Sequence, residues 1–151
     1  MSQSDIAELM REFTDAMTTD DIDAVVGLFN NAPDVEWVIM ATGERFRGLD
    51  SIRQLAERSV AARSHGDKLG IKPKRVFTNA EGSQMCWEYV HKGMVTEHAR
   101  ENIIDHPAPG TIFELPIVLV CDIRNGRIQE IREYFDLRTL TEAGRPQRLY
   151  A

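Results

Sequence analysis

Apolar residues recur at three- and four-residue spacing at the start of the chain, at Ile6, Leu9, Met10, Phe13 and Met17. That period predicts an amphipathic helix over residues 4–18, with Ser4 placed to cap it. Asp20 or Asp21 caps a second, short helix carrying Ile22, Val25, Val26 and Phe29, and Pro33 ends it. Residues 35–40 are a dense run of β-formers, which Gly43 turns back toward Arg45, Phe46 and Arg47. Asp50 then opens a third helix whose apolar face is Ile52, Leu55, Ala56, Ser59 and Val60.

Beyond Gly66 the period changes from helical to alternating. Residues 69–78 read as a strand that Pro73 confines to a sheet edge or a bulge. Asn79 to Gly82 make a turn, and residues 84–94 form the next strand. Residues 95–110 are ambiguous between a continued strand and a helical turn, and are closed by Pro107, Pro109 and Gly110. Residues 111–123 form a long strand, Arg124-Asn125-Gly126 is a hairpin turn, and residues 128–136 form the last strand. A short helix over residues 137–143 and a tail follow. Helices first and antiparallel strands afterwards predict an α+β fold, with helices packed on one face of the sheet.

Composition narrows the class. A length of 151 residues fits one domain spanning 1–151, and 42% apolar with 28% charged residues is ordinary for a globular chain. The net charge of −6 argues against nucleic acid or an anionic membrane as the main partner. No segment reaches the roughly 18 apolar residues of a membrane span, and the N-terminus lacks a basic region followed by an apolar run, so a cytoplasmic protein is expected. Cys86 and Cys121 sit in apolar strands and read as reduced core thiols. His65, His91, His98 and His106 have no ligand-like spacing, so no metal is expected. No phosphate-binding glycine loop or nucleophile elbow is present.

The ending Asn125-Gly126-Arg127-Ile128, followed by Arg132-Glu133-Tyr134-Phe135-Asp136-Leu137-Arg138, resembles the nuclear transport factor 2-like superfamily. Gly48-Leu49-Asp50-Ser51-Ile52 before the third helix fits the same pattern. Within it the chain is most similar to the limonene-epoxide-hydrolase-like and SnoaL-like polyketide cyclase groups, along almost its whole length. The resemblance implies a cone-shaped, curved antiparallel sheet wrapped over three N-terminal helices around one apolar pocket. Relatives of this fold commonly pair through the outer sheet face, so a homodimer is expected, and no cofactor is.

Strand parity selects the residues that face such a pocket. Ile131, Glu133 and Phe135 share the apolar face of the last strand, while Glu130, Arg132, Tyr134 and Asp136 share the other. A carboxylate between two apolar neighbours is costly unless it is paired or functional, and burial raises its pKa toward the range of a general acid or base. The resemblance adds that both enzyme groups take a catalytic carboxylate, an Asp, from this position. Phe113, Leu115, Ile117, Leu119, Cys121 and Ile123 form an apolar wall; Met85, Trp87, Tyr89 and His91 share a face of the preceding strand. The polar partner expected for Glu133 is His91, as a His–carboxylate pair, or Arg100.

Two registers remain open for the Arg-x-Asp motif of the epoxide-hydrolase-like group. One places it on Arg100-Glu101-Asn102, with Asn in place of the acid; the other places its positions at Tyr89 and His91. The Tyr and Asn that hold the attacking water in that group correspond here to Trp37 and Ile39. The base of the ketosteroid-isomerase branch falls near Ile39, and its first-helix Tyr near Phe13. Trp37 is therefore expected to be either a flat apolar wall for a ring-shaped or hydrocarbon ligand or a plain core residue. The expected catalytic residues are Glu133 and His91, and the expected ligand contacts are Trp37, Tyr89, Arg100, Leu115, Ile117, Ile131 and Phe135. The expected activity is isomerisation, cyclisation, dehydration or epoxide opening on a small hydrophobic molecule. The alternative is a non-catalytic ligand-binding or dimerisation domain.

Overall fold

The structure is a computed structural model that describes residues 3–64, 66, 68–96, 107–141 and 143. Three helices, α1 (Gln3–Thr18), α2 (Ile22–Gly27) and α3 (Leu49–Ala61), pack on a sheet of six strands. The strands are β1 (Glu36–Ile39), β2 (Glu44–Arg47), β3 (Gly70–Thr78), β4 (Gln84–Met94), β5 (Ile112–Arg124) and β6 (Arg127–Tyr134); α4 (Leu137–Thr141) follows. The sheet order is β2-β1-β6-β5-β4-β3. All neighbours are antiparallel except β1 and β6, which run parallel. That parallel pair joins the β1–β2 hairpin to the four-strand meander, and the sequence pattern did not announce it.

The helical period of α1 is realised as a buried stripe of Ile6, Leu9, Phe13, Ala16 and Met17. It meets the inward face of β4; Phe13 packs edge-on against Trp87 with ring centroids 5.2 Å apart. Asp21 is the N-cap of α2 and accepts from the Ala24 N–H at 3.0 Å. Asp20, the other candidate cap, instead adopts a left-handed backbone at φ 57°, which Asp tolerates better than most residues. The third helix begins one residue earlier than expected. Gly48 at φ 84° is its cap, and Asp50 lies in its first turn, where the helix dipole favours an acid.

Pro73 lies on the edge strand β3, where the ladder slips between Pro73 and Arg75. A lost donor is tolerated at such a place. Asn125 and Gly126 both have positive φ, as a two-residue hairpin turn requires. A further irregularity just after this turn decides which side chains point inward on β6. Asp122 pairs with Glu130 but Ile123 pairs with Ile128, leaving Gln129 as an extra residue. Ile128 and Ile131 are thereby both fully buried, and Glu133 follows on the inner face. The Asn30 amide donates to the Gln129 side-chain oxygen and the Arg124 carbonyl, both at 3.1 Å, which holds the bulge in place.

The outer face of β6 carries the most recognisable residues of the last strand. Arg132 donates to Asp122 at 2.7 Å and Glu130 at 2.8 Å, Tyr134 is exposed, and Asp136 accepts from the Arg138 N–H at the start of α4. Cys121 is a core thiol as expected. Cys86 differs: it is only half-buried on the outer face, because its parity is opposite to that of Met85 and Trp87. Among the described residues, no helix is long and apolar enough to cross a membrane.

Candidate functional site

A cavity lies between the helices and the inner face of the sheet. It is lined by apolar side chains including Met17, Ile22, Val25 and Leu55, and by the polar residues Asp20, Ser59, Arg63, Trp37, Tyr89 and Glu133. The centre of a water-sized sphere can move through ≈ 50 Å³ of it. At about 10–15 Å³ for one water, that is room for on the order of four water-sized groups.

Strand register brings Glu133 to Trp37. Ile39 pairs with Glu133 and Trp37 with Ile131, so Trp37 and Glu133 are diagonal neighbours on one face. The indole Nε1–H of Trp37 donates to Glu133 Oε2 at 2.8 Å. Trp37 is itself clamped by Phe29, stacked at 6.3 Å. Its part is therefore larger than the flat wall or core residue expected from sequence, because it orients the carboxyl group. Burial pushes the Glu133 pKa up to about 7; the indole hydrogen bond pulls it down, and the nearby Glu44 carboxylate on β2 pushes it up. Among the described residues, Glu133 Oε1 has no side-chain partner.

Tyr89, on β4, faces the same cavity and makes no side-chain hydrogen bond to a described residue. Burial raises its pKa well above the usual tyrosine value, as does the Glu133 charge, while Arg63 opposes the rise. The hydroxyl thus stays protonated and is available as a donor.

Arg63 lies just beyond α3. The Ala62 carbonyl accepts from the Met94 N–H at 2.6 Å, which ties this end of the helix to β4. The guanidinium is buried; its Nε donates to Asp20 Oδ1 and its Nη1 to Ser59 Oγ, both at 2.6 Å. Sequence reasoning missed all three residues as a site. The available signal was that Arg63 continues the apolar face of α3, which runs through Ala56, Ser59 and Val60.

The expected His91–Glu133 pair is replaced by Trp37–Glu133. His91 shares the inward parity of Tyr89 but does not line the cavity; it lies edge-on against Phe113, ring centroids 5.2 Å apart, close to Gly93. Its Nε2 is buried without a partner among the described residues, and burial together with the Arg63 charge pushes its pKa down to about 3. A neutral histidine packed in this way is not placed to exchange protons with Glu133. Leu115, Ile117 and Ile131 are core residues behind the cavity, and Phe135 packs against that core half-buried. Arg100 and Asn102 lie outside the described residues. No three His, Cys, Asp or Glu side chains converge to hold a metal among the described residues.

Three helices under a curved, mostly antiparallel sheet, with one polar-tipped apolar pocket, define the nuclear transport factor 2-like or ketosteroid-isomerase-like class of folds. The profile of the SnoaL-like domain family matches residues 10–131, and the chain belongs to that family. Solved structures of the same fold include a putative polyketide cyclase from Xanthomonas campestris pv. campestris, 21% identical with a TM-score of 0.67 over 90% of this chain and 93% of that one. Another is SalBIII, an epoxide hydrolase/cyclase-like enzyme of pyran ring formation in the polyether salinomycin. It is 15% identical, with a TM-score of 0.69 over 91% of this chain and 95% of that one. A hypothetical protein with a ketosteroid isomerase-like fold from Catenulispora acidiphila, solved with trimethylamine, is 19% identical with a TM-score of 0.66 over 92% of this chain and 94% of that one. No curated protein matches the sequence.

Proposed function

We propose that this chain is a cofactor-independent enzyme that acts on a small hydrophobic molecule by general acid–base chemistry, with Glu133 as the proton-transfer group. One observation carries the reading: a carboxyl group with a pKa near 7 faces a largely apolar cavity with one oxygen fixed by Trp37 and the other unpartnered among the described residues. At neutral pH both protonation states of such a group are populated, so it can take or give a proton with little driving-force penalty. Trp37 favours the ionised form and fixes its direction. Tyr89 offers a neutral O–H to an oxygen of the substrate.

Ring closure, isomerisation, dehydration and epoxide opening all need these parts and a pocket that limits water. The names of the polyketide cyclase and of SalBIII point the same way for those proteins. The test is a panel of small epoxides, enones and cyclisable ketones offered to the wild type and to Glu133→Gln. For any accepted substrate, kcat/KM is expected to fall about 10²–10⁴-fold in the variant, and the wild-type pH profile to break near pH 7. Equal turnover by the two proteins would remove Glu133 from the mechanism.

A further inference from the structure

Arg63 is the charged group that the acid–base reading leaves without a task. A guanidinium carries five N–H donors in a planar fork. Here Nε is used by Asp20 and one Nη1 hydrogen by Ser59. Nη2 has no partner among the described residues. Among the described residues, the side-chain polar atoms that are both enclosed and unbonded are Trp87 Nε1 and His91 Nε2, and no Arg63 atom is one of them. Arg63 lines the cavity, together with its partners Asp20 and Ser59.

The pair with Asp20 is asymmetric. The Arg63 side chain is 3% exposed and that of Asp20 is 37% exposed. Water therefore screens the carboxylate, while the cation acts inward. Its influence is felt at both Tyr89 and His91, and that of Asp20 at neither. A buried guanidinium with donors to spare suits a carboxylate, whose oxygens accept charge-assisted N–H bonds.

The geometry points to a ligand that is a short apolar carboxylate, with its anionic end on the spare donors of Arg63 and its hydrocarbon end against Met17, Ile22, Val25 and Leu55. This rests on the reading of Glu133 as the proton-transfer group and names its substrate class. A cavity of this size suits a short hydrocarbon chain beyond the carboxylate. Charge then couples the two ends. The groups that face Glu133 are Trp37 on β1, Tyr89 on β4, Glu44 on β2 and, across the cavity, Arg63 with Asp20. A second anion among them is accommodated best when Glu133 holds its proton, so the bound acid favours the form of Glu133 that donates.

The experiment is calorimetric titration of the full chain with isobutyrate and with isobutyramide, its uncharged isostere. At pH 6 the wild type is expected to bind isobutyrate at least tenfold more tightly than the amide. This preference should shrink as pH rises through 7, and persist at pH 8.5 in Glu133→Gln. Asp20→Asn keeps an acceptor for Arg63 Nε and a residue tolerant of the left-handed backbone, and removes the countercharge. It should tighten isobutyrate binding about threefold or more and leave isobutyramide unchanged. Arg63→Gln should abolish the preference; if that variant does not fold, Asp20→Asn decides. Equal binding of acid and amide by the wild type, or no tightening in Asp20→Asn, overturns the carboxylate assignment. Loss of turnover in Glu133→Gln alongside equal binding leaves the acid–base reading standing and removes this one. A clear carboxylate preference with undiminished turnover in Glu133→Gln does the reverse.

Discussion

Replacing Glu133 by Gln should stabilise the protein, and by an amount that depends on pH in a defined way. The change keeps size and shape, and the Gln side-chain oxygen still accepts from Trp37 Nε1. What it removes is the charge. The folded state holds this carboxyl at about 7 against an ordinary 4.5, chiefly because burial disfavours the ion. A raised folded-state pKa means that the folded form keeps a proton which the unfolded form has released. The contribution of Glu133 is thus whole below about 4.5 and lost as pH climbs through 7. At about 1.4 kcal/mol per pH unit, the ionised side chain costs the folded state about 3 kcal/mol above pH 7. The variant should therefore match the wild type at pH 4 and exceed it by about 3 kcal/mol at pH 8.5. For a chain of this length that is roughly 6–12 °C in Tm. Urea unfolding of both proteins at five pH values between 4 and 8.5 measures the difference directly. A constant difference across that range would show that Glu133 titrates normally, and the proposed chemistry would lose its foundation.

Trp37→Phe removes the one hydrogen bond that favours the ionised carboxylate, so the Glu133 midpoint should move further up, by about one to two pH units; ¹³C carboxyl shifts followed through a pH titration report it, and an unmoved midpoint contradicts the 2.8 Å contact. His91 behaves with the opposite sign. Its folded pKa is depressed to about 3, so its contribution is whole above about 6.5 and is lost as pH falls toward 3. The stability of wild type relative to His91→Leu should thus fall by about 2 kcal/mol between pH 7.5 and pH 5, as read by urea unfolding. Gly93→Ala should cost about 1–3 kcal/mol in thermal unfolding, because the added Cβ would sit 2.6 Å from Phe113 Cζ and 3.1 Å from the Ala62 carbonyl oxygen.

Much of the architecture was legible because single elements obey local rules. The 3–4 spacing of α1, the Asn-Gly turn and the alternation of β4 and β5 each encode their own conformation. Glu133 was found in the same way, as the one acid between Ile131 and Phe135. The residues that complete the site were less visible because they come together through tertiary placement. Trp37 and Glu133 are 96 positions apart and meet through a parallel pairing that neither strand advertises. Asp20 reads locally as a helix cap, and Arg63 follows the end of a helix; their pairing across 43 positions, with both lining the cavity, is set by tertiary packing. His91 misled for a related reason. Parity gives the face of the sheet a side chain occupies, but not whether the cavity extends that far along the strand.

The parallel pairing of β1 with β6 also sets when the site can exist. Residues 36–39 leave the ribosome about ninety residues ahead of the strand they pair with, so Trp37 waits through most of synthesis without its carboxylate. Loop closure over such a span is among the slower events of folding. Chains stopped before residue 127 can build both hairpins of the sheet's outer portions, yet none of them holds the Trp37–Glu133 contact. Any proton-transfer activity is then confined to chains synthesised past residue 133. The Met40 N–H, which donates to the Glu133 carbonyl at 2.9 Å, is the amide whose exchange protection would mark that closure.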